Sequence, residues 1–151
     1  FEEKKASPWL ATPFRETSGR FSPDERWIAY TSDESGRREV YVRGFSATGG
    51  KWRVSVDGGT MPVWRADGKE LFFVSLNQKM MSVAVRPGET FDTDPPKALF
   101  STLSMQINFS DIAQYDVAAD GQRFVLTHSA AEASPPLITL VTNWQSGVPR
   151  R

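Results

Sequence analysis

The chain has 151 residues, 24% of them charged and 39% apolar, with 18 Lys plus Arg set against 18 Asp plus Glu. That length suits one domain with a sizeable core, the even balance excludes the basic excess of a nucleic-acid binder, and the lack of cysteine excludes disulfides and thiolate metal sites. No apolar run approaches the roughly 18 residues of a membrane-spanning helix, and eleven Gly, ten Pro, ten Phe and five Trp favour strands and turns.

In chain order, the first candidate strand lies in "SPWLATPFRE", at residues 9–14, with Trp9, Leu10 and Phe14 as its large apolar positions. It follows Phe1 and Glu2-Glu3-Lys4-Lys5, a solvated opening without a basic-then-apolar leader, so the chain reads as a processed or excised piece. Strands are then expected at residues 19–22, 27–32, 39–45 and 51–56, at 60–65, 70–76, 80–86 and 97–101, and at 113–118, 123–128 and 137–144. Turn chemistry separates nearly all of them: Gly49-Gly50, Asp57-Gly58-Gly59, Asp67-Gly68, Pro87-Gly88 and Asp120-Gly121. Residues 129–134 have helix-forming composition, but two prolines follow and they read as a loop. This is the cadence of an all-β protein.

The stretches "SPDERWIAY", "RADGKELFFV" and "AADGQRFVL" share one pattern: Asp, a turn residue, two polar or amphipathic positions, then an apolar strand. Their aspartates, Asp24, Asp67 and Asp120, lie 43 and then 53 residues apart. A period in the forties fits four short strands per unit, the blade of a β-propeller. Each aspartate is expected to bond the backbone two residues on, and Gly68 and Gly121 to take positive φ at no steric cost. Glu25 stands where the other copies carry glycine, so the first turn is expected to differ in geometry.

The unit resembles the PD40 repeat of TolB-type propellers, distant relatives of WD-repeat proteins. Residues 22–42 match its Ser-Pro-Asp-Gly turn, aromatic-rich strand and Ser-Asp-x-x-Gly turn apart from Glu25. Pro62, Trp64, Asp67, Gly68, Lys69, Leu71 and Phe73 match a second form of the repeat, and residues 115–126 match weakly. The order of elements, closing on "ITLVTNW", is similar to the C-terminal end of propellers attached to bacterial serine/threonine kinases and other sensory proteins. The resemblance implies four-stranded antiparallel blades and a periplasmic or extracytoplasmic setting. It also implies a protein or small-molecule ligand at the channel mouth, where the irregular stretches 101–110 and 130–136 could decorate the face.

Counting four strands to a blade gives blade one at 19–57, blade two at 58–101 and blade three at 102–145, with a tail at 146–151. Residues 1–18 are left over as the outer strand of a neighbouring blade, and blade three is one outer strand short. Three blades do not close a ring, since propellers have four to eight. The chain is therefore expected to be half of a six-bladed propeller, completed as a homodimer or by the remaining blades of its parent chain. In the homodimer, the strand of Trp9, Leu10 and Phe14 in one copy would lie beside Leu137, Ile138, Leu140 and Val141 of the other.

No constellation of residues identifies a reaction, so no catalytic, metal-binding or cofactor-binding residue is assigned and no cofactor is expected. His128, the one histidine, ends a strand without a neighbouring acid and reads as structural. Asp24, Asp67 and Asp120 share a repeat phase with Gly68 and Gly121, which marks them as turn formers rather than carboxylate catalysts. Trp27, Trp52, Trp64, Phe72 and Phe73 read as inter-blade core. The function expected is a non-enzymatic binding or sensory module. The alternative is the propeller cap of a peptidase or hydrolase whose catalytic domain lies elsewhere, because the chain holds no Gly-x-Ser-x-Gly elbow.

Overall fold

Leu71, Phe72, Phe73 and Val74 are each at most 1% exposed, although successive side chains on a strand point in opposite directions. Leu71 and Phe73 enter one apolar core, and Phe72 and Val74 enter another. A strand covered on both faces needs a sheet on each side, and the chain supplies both. The computed structural model describes residues 6–46, 49–86, 88–103, 114–128 and 137–142. Among the described residues every regular element is a strand.

Blade one is the antiparallel sheet β1 (Glu16–Phe21), β2 (Trp27–Ser32), β3 (Glu39–Gly44) and β4 (Lys51–Arg53), in that order. Blade two holds β5 (Thr60–Trp64), β6 (Glu70–Val74) and β7 (Lys79–Arg86). Its outer position is shared by two strands, because β8 (Asp92–Thr93) pairs with the end of β7 and β9 (Lys97–Ser101) with its beginning. Blade three holds β10 (Tyr115–Val117), β11 (Arg123–His128) and β12 (Leu137–Thr142). The four-strand cadence stands as expected, and β8 is an addition to it. The outer strand β4 is shorter than expected because Val54 and Ser55 turn away, both donating their N–H to the Val40 carbonyl at 2.8 and 3.4 Å.

The cores lie between blades. Ala29, Val40 and Val42 of blade one meet Trp64, Leu71, Phe73 and Val83 of blade two, with Trp27 and Trp52 packed at the margin. Met61, Phe72, Val74 and Met80 of blade two meet Tyr115, Phe124 and Leu126 of blade three. The five aromatics expected in the core are all there. Burying Phe72 and Phe73 fully contributes roughly 1.5–3 kcal/mol each relative to exposure.

Three turns repeat one geometry. The N–H of Glu25, Gly68 and Gly121 donates to the carbonyl three residues back, Ser22, Arg65 and Ala118, at 2.8, 2.9 and 2.8 Å. The carboxylates of Asp24, Asp67 and Asp120 accept the N–H of Arg26, Lys69 and Gln122 at 3.2, 3.0 and 2.9 Å. Gly68 and Gly121 both have φ 71°, as expected, and Glu25 has φ 58°. The expectation of a different first turn is thus corrected. The hydrogen bonds of Ser22 and Asp24 hold the same backbone, and Glu25 bears a left-handed conformation that costs an L-residue roughly 1–2 kcal/mol.

The inner strands of blades one and two each carry a bulge, at Ser18 (φ 56°) and Met61 (φ 55°), which shifts the register between Thr17 and Arg20 and between Thr60 and Val63. Neighbouring blades satisfy what the second bulge frees: Thr31 Oγ1 accepts the Met61 N–H at 3.3 Å, and the Tyr115 hydroxyl donates to the Met61 carbonyl at 2.8 Å.

The strand expected at residues 9–14 does not form. Pro8 and Pro13 have no N–H to donate, and among the described residues no strand edge lies beside the segment. It lies instead against blade one. Trp9 meets Tyr30 edge-on at 6.3 Å and stacks on Phe45 at 6.4 Å, and its Nε1 donates to the Phe45 carbonyl at 3.2 Å.

Candidate functional site

A groove of about 630 Å³ is lined from all three blades, by Arg20 and Phe21, by Val63 and Trp64, and by Tyr115 with Asp116 and neighbouring positions of β11 and β12. The inner strands place these residues. Beyond the Ser18 bulge, Arg20 pairs with Ala29 and its carbonyl accepts the Trp64 indole N–H at 3.1 Å, so backbone position is fixed across the blade boundary. The Arg20 guanidinium itself makes no hydrogen bond or ion pair among the described residues and is exposed. Trp64 and Tyr115 wall the groove, and burial pushes the Tyr115 hydroxyl well above the ordinary tyrosine range. Sequence reasoning did not single out Arg20, because nothing local marks it; the bulge that sets its register appears only once the strands pair.

Most other charges near the blades are committed to the scaffold. Glu39 is fully buried and accepts from Arg37 Nε at 2.7 Å, from the Gly58 N–H at 3.0 Å and from the Ser55 hydroxyl, tying the start of β3 to the link between blades one and two. A second hollow of about 370 Å³ lies between the first two Asp turns, over Trp27, Trp64 and Phe91. Its rim is self-paired: Arg86 with Asp92 at 2.8 Å and with Asp94, and Arg26 with the Gly88 carbonyl at 3.0 Å. Arg65 holds Asp67 at 2.7 Å, and that hydrogen bond depresses the Asp67 carboxyl to about 2. Asp24, Asp67 and Asp120 all sit in turns, as the repeat phase required.

The two end blades present apolar flanks. In blade one, Phe21, Ile28 and Tyr30 stand 43 residues before Trp64, Leu71 and Phe73, which in blade two face the preceding blade. Here no described blade precedes. Residues 6–15 cover the flank in part, leaving Ile28 and Tyr30 buried but Phe21 54% and Phe45 48% exposed. Burial raises the Tyr30 hydroxyl to about 12, with Glu34 adding to the shift. On blade three, Ile138 and Leu140 are 76% and 63% exposed, and Val125 lies beside Leu140.

The residues expected at the interface thus divide. Trp9 and Leu10 lie by blade one, Phe14 is exposed, and Ile138 and Leu140 lie on the open face of blade three, whereas Val141 packs into the core between blades two and three. Leu137 opens β12 opposite His128, and the side chains of both lie outside the described residues. So do most of the stretch 101–110 and all of 130–136. Among the described residues no group of three or more His, Asp or Glu could hold a metal ion, and no helix is long and apolar enough to cross a membrane.

No family model matches the chain, and no curated protein matches it. Solved structures do. An oligogalacturonate lyase from Vibrio parahaemolyticus superposes with a TM-score of 0.52 at 13% identity over 79% of this chain and 31% of its own. TolB from Acinetobacter baumannii matches with a TM-score of 0.43 at 19% identity over 88% of this chain and 42% of its own. Both are β-propellers, and this chain spans less than half the length of either. At 13% identity the likeness to the lyase shows the fold alone: with its four-, five- and three-stranded antiparallel sheets, the chain is built of β-propeller blades.

Proposed function

We propose that this chain is part of a non-enzymatic binding or sensory propeller, and that it takes an acidic segment of a protein, or a small acidic ligand, in the groove beside Arg20. The observation that carries the reading is the state of that cation. Arg37, Arg65 and Arg86 are each held by a carboxylate, whereas Arg20 has no such partner among the described residues and lines the same groove as Trp64, Tyr115 and Asp116. Concave, largely apolar sites with a few placed polar groups are where ligands bind, and an arginine fork is suited to carboxylates.

Thermal-shift measurements with Glu-rich, neutral and Lys-rich peptides and with small dicarboxylates test this. Acidic probes are expected to raise Tm, more at low salt than at high. Arg20→Ala is expected to abolish the shift while leaving the ligand-free Tm unchanged. A flat response to every acidic probe, or an undiminished response in the variant, would remove the reading.

A further inference from the structure

Trp9 stands 43 residues before Trp52, the spacing that separates Asp24 from Asp67. The structure gives each tryptophan an aromatic partner in the blade that follows it. Trp52, on the outer strand of blade one, packs at 5.6 Å on Phe91 in the connection after β7 of the next blade. Trp9 packs at 6.4 Å on Phe45, in the connection after β3 of blade one. Residues 8–11 therefore lie where the outer strand of a preceding blade belongs, with no inner strands beside them. Among the described residues no backbone hydrogen bond to another backbone group holds residues 6–13. At the other end, β12 pairs with β11 alone among the described residues, and its outer edge stands open. Among the described residues, one chain thus holds both an outer-strand segment without a blade and a blade edge without a partner.

Repeat position gives the register in which they fit. Ala29, Phe72 and Val125 each follow their turn aspartate by five residues, and their partners on the third strand are Val42, Ser82 and Leu140. Val42 pairs with Trp52, so Leu140 is the position that Trp9 would oppose. One step further, Val54 donates to the Val40 carbonyl at 2.8 Å, and the same rule sets Ala11 opposite Ile138. The faces agree as well. Val40, Val42 and Val54 point into the core toward blade two, and Val125, Ile138 and Leu140 are the exposed large apolar residues of blade three among those described.

We infer that a second copy of this chain supplies the missing strand: residues 8–11 of one copy complete blade three of the other. The open face of that completed blade then packs on the exposed Phe21 and Phe45 of the copy that lends the strand. A twofold axis makes the exchange reciprocal, so both open flanks and both open edges are covered at once, as an isologous contact requires. Six blades result, within the range in which propellers close. This goes beyond the ligand reading and does not use Arg20, although Phe21, Val125 and Ile138 border both the groove and the contact between copies.

The absence of cysteine makes the test direct. Light scattering of residues 1–151 at tens of micromolar is expected to give twice 16.9 kDa. Ile138→Asp combined with Leu140→Asp is expected to halve the mass with an unchanged circular dichroism spectrum, because both side chains are exposed in the single chain. When Ala11→Cys and Ile138→Cys chains are mixed and mildly oxidised, a covalent heterodimer is expected, and neither variant alone should cross-link. A monomer, or an ill-defined aggregate, would overturn the inference. So would a dimer that survives the aspartates or cross-links only between like positions.

Discussion

The Tyr115 hydroxyl lies 2.8 Å from the carbonyl oxygen of Met61, a residue at φ 55° in the bulge of β5. Blade three thereby supplies the donor for a carbonyl that the bulge has removed from its ladder, and both residues are about 95% buried. Tyr115→Phe keeps the ring and leaves that oxygen orphaned. It is expected to destabilise by about 1–3 kcal/mol, read as a lower urea midpoint with unchanged slope.

The three Asp turns allow an internal comparison. Glu25→Gly is expected to stabilise by up to about 1 kcal/mol, because it relieves the left-handed strain against glycine's extra unfolded-state entropy. Gly68→Val and Gly121→Val are expected to destabilise by about 1 kcal/mol or more. The second should be the worse. A Cβ at Gly121 would come within 2.7 Å of Arg65 Cδ, and Arg65 is held in place by Asp67 and Glu70, whereas at Gly68 the nearest atom is Pro23 Cδ at 3.6 Å. Thermal melts of the three variants give the ranking.

Glu39→Ala removes the acceptor shared by Ser55, Gly58 and Arg37. Arg37 is half-exposed and rehydrates, so its loss adds little. The buried hydroxyl and N–H do not, and a loss of about 2–3 kcal/mol is expected on denaturant unfolding. A change below the error of the midpoint would show that water replaces the carboxylate.

Tyrosine ionisation should report on the cores at high pH. The folded Tyr30 titrates at about 12 and Tyr115 is held well above the ordinary tyrosine value, both because burial opposes the phenolate. A group whose folded pKa lies above its unfolded value of about 10 stabilises fully below that pH. Its contribution is lost as pH rises from 10 toward 12. Absorbance at the phenolate band is therefore expected to rise for these two residues together with loss of near-ultraviolet dichroism. A separate early rise involving both tyrosines would contradict their burial.

The turns and central strands were legible because their causes are local. Asp-Gly sets a backbone geometry, and four apolar residues in a row at Leu71–Val74 can be accommodated only between two sheets. The bulges at Ser18 and Met61 were not legible, since a bulge is a mismatch between two strands and neither residue type announces it. The conformation of Glu25 was misjudged from its side chain, although the flanking Ser22 and Asp24 carried the turn. The placement of residues 6–15 was half legible: the 43-residue spacing of Trp9 and Trp52 marks the outer-strand position, but pairing depends on an edge that the described residues do not offer. Arg20 had no signal of its own.

The double burial of β6 has a consequence for how the molecule comes apart. Among the described residues each apolar core lies between two blades adjacent in sequence, so cooperativity passes along a line rather than around a centre. Blade two has a covered face on both sides, and the outer two blades have one each. In the single chain, as in the Ile138→Asp, Leu140→Asp variant, opening should therefore begin at the ends and travel inward. The amide protons of Leu71, Phe72, Phe73 and Val74 would be the last to exchange with solvent deuterium, at the rate set by global unfolding, while those of β12 exchange through a smaller, local loosening.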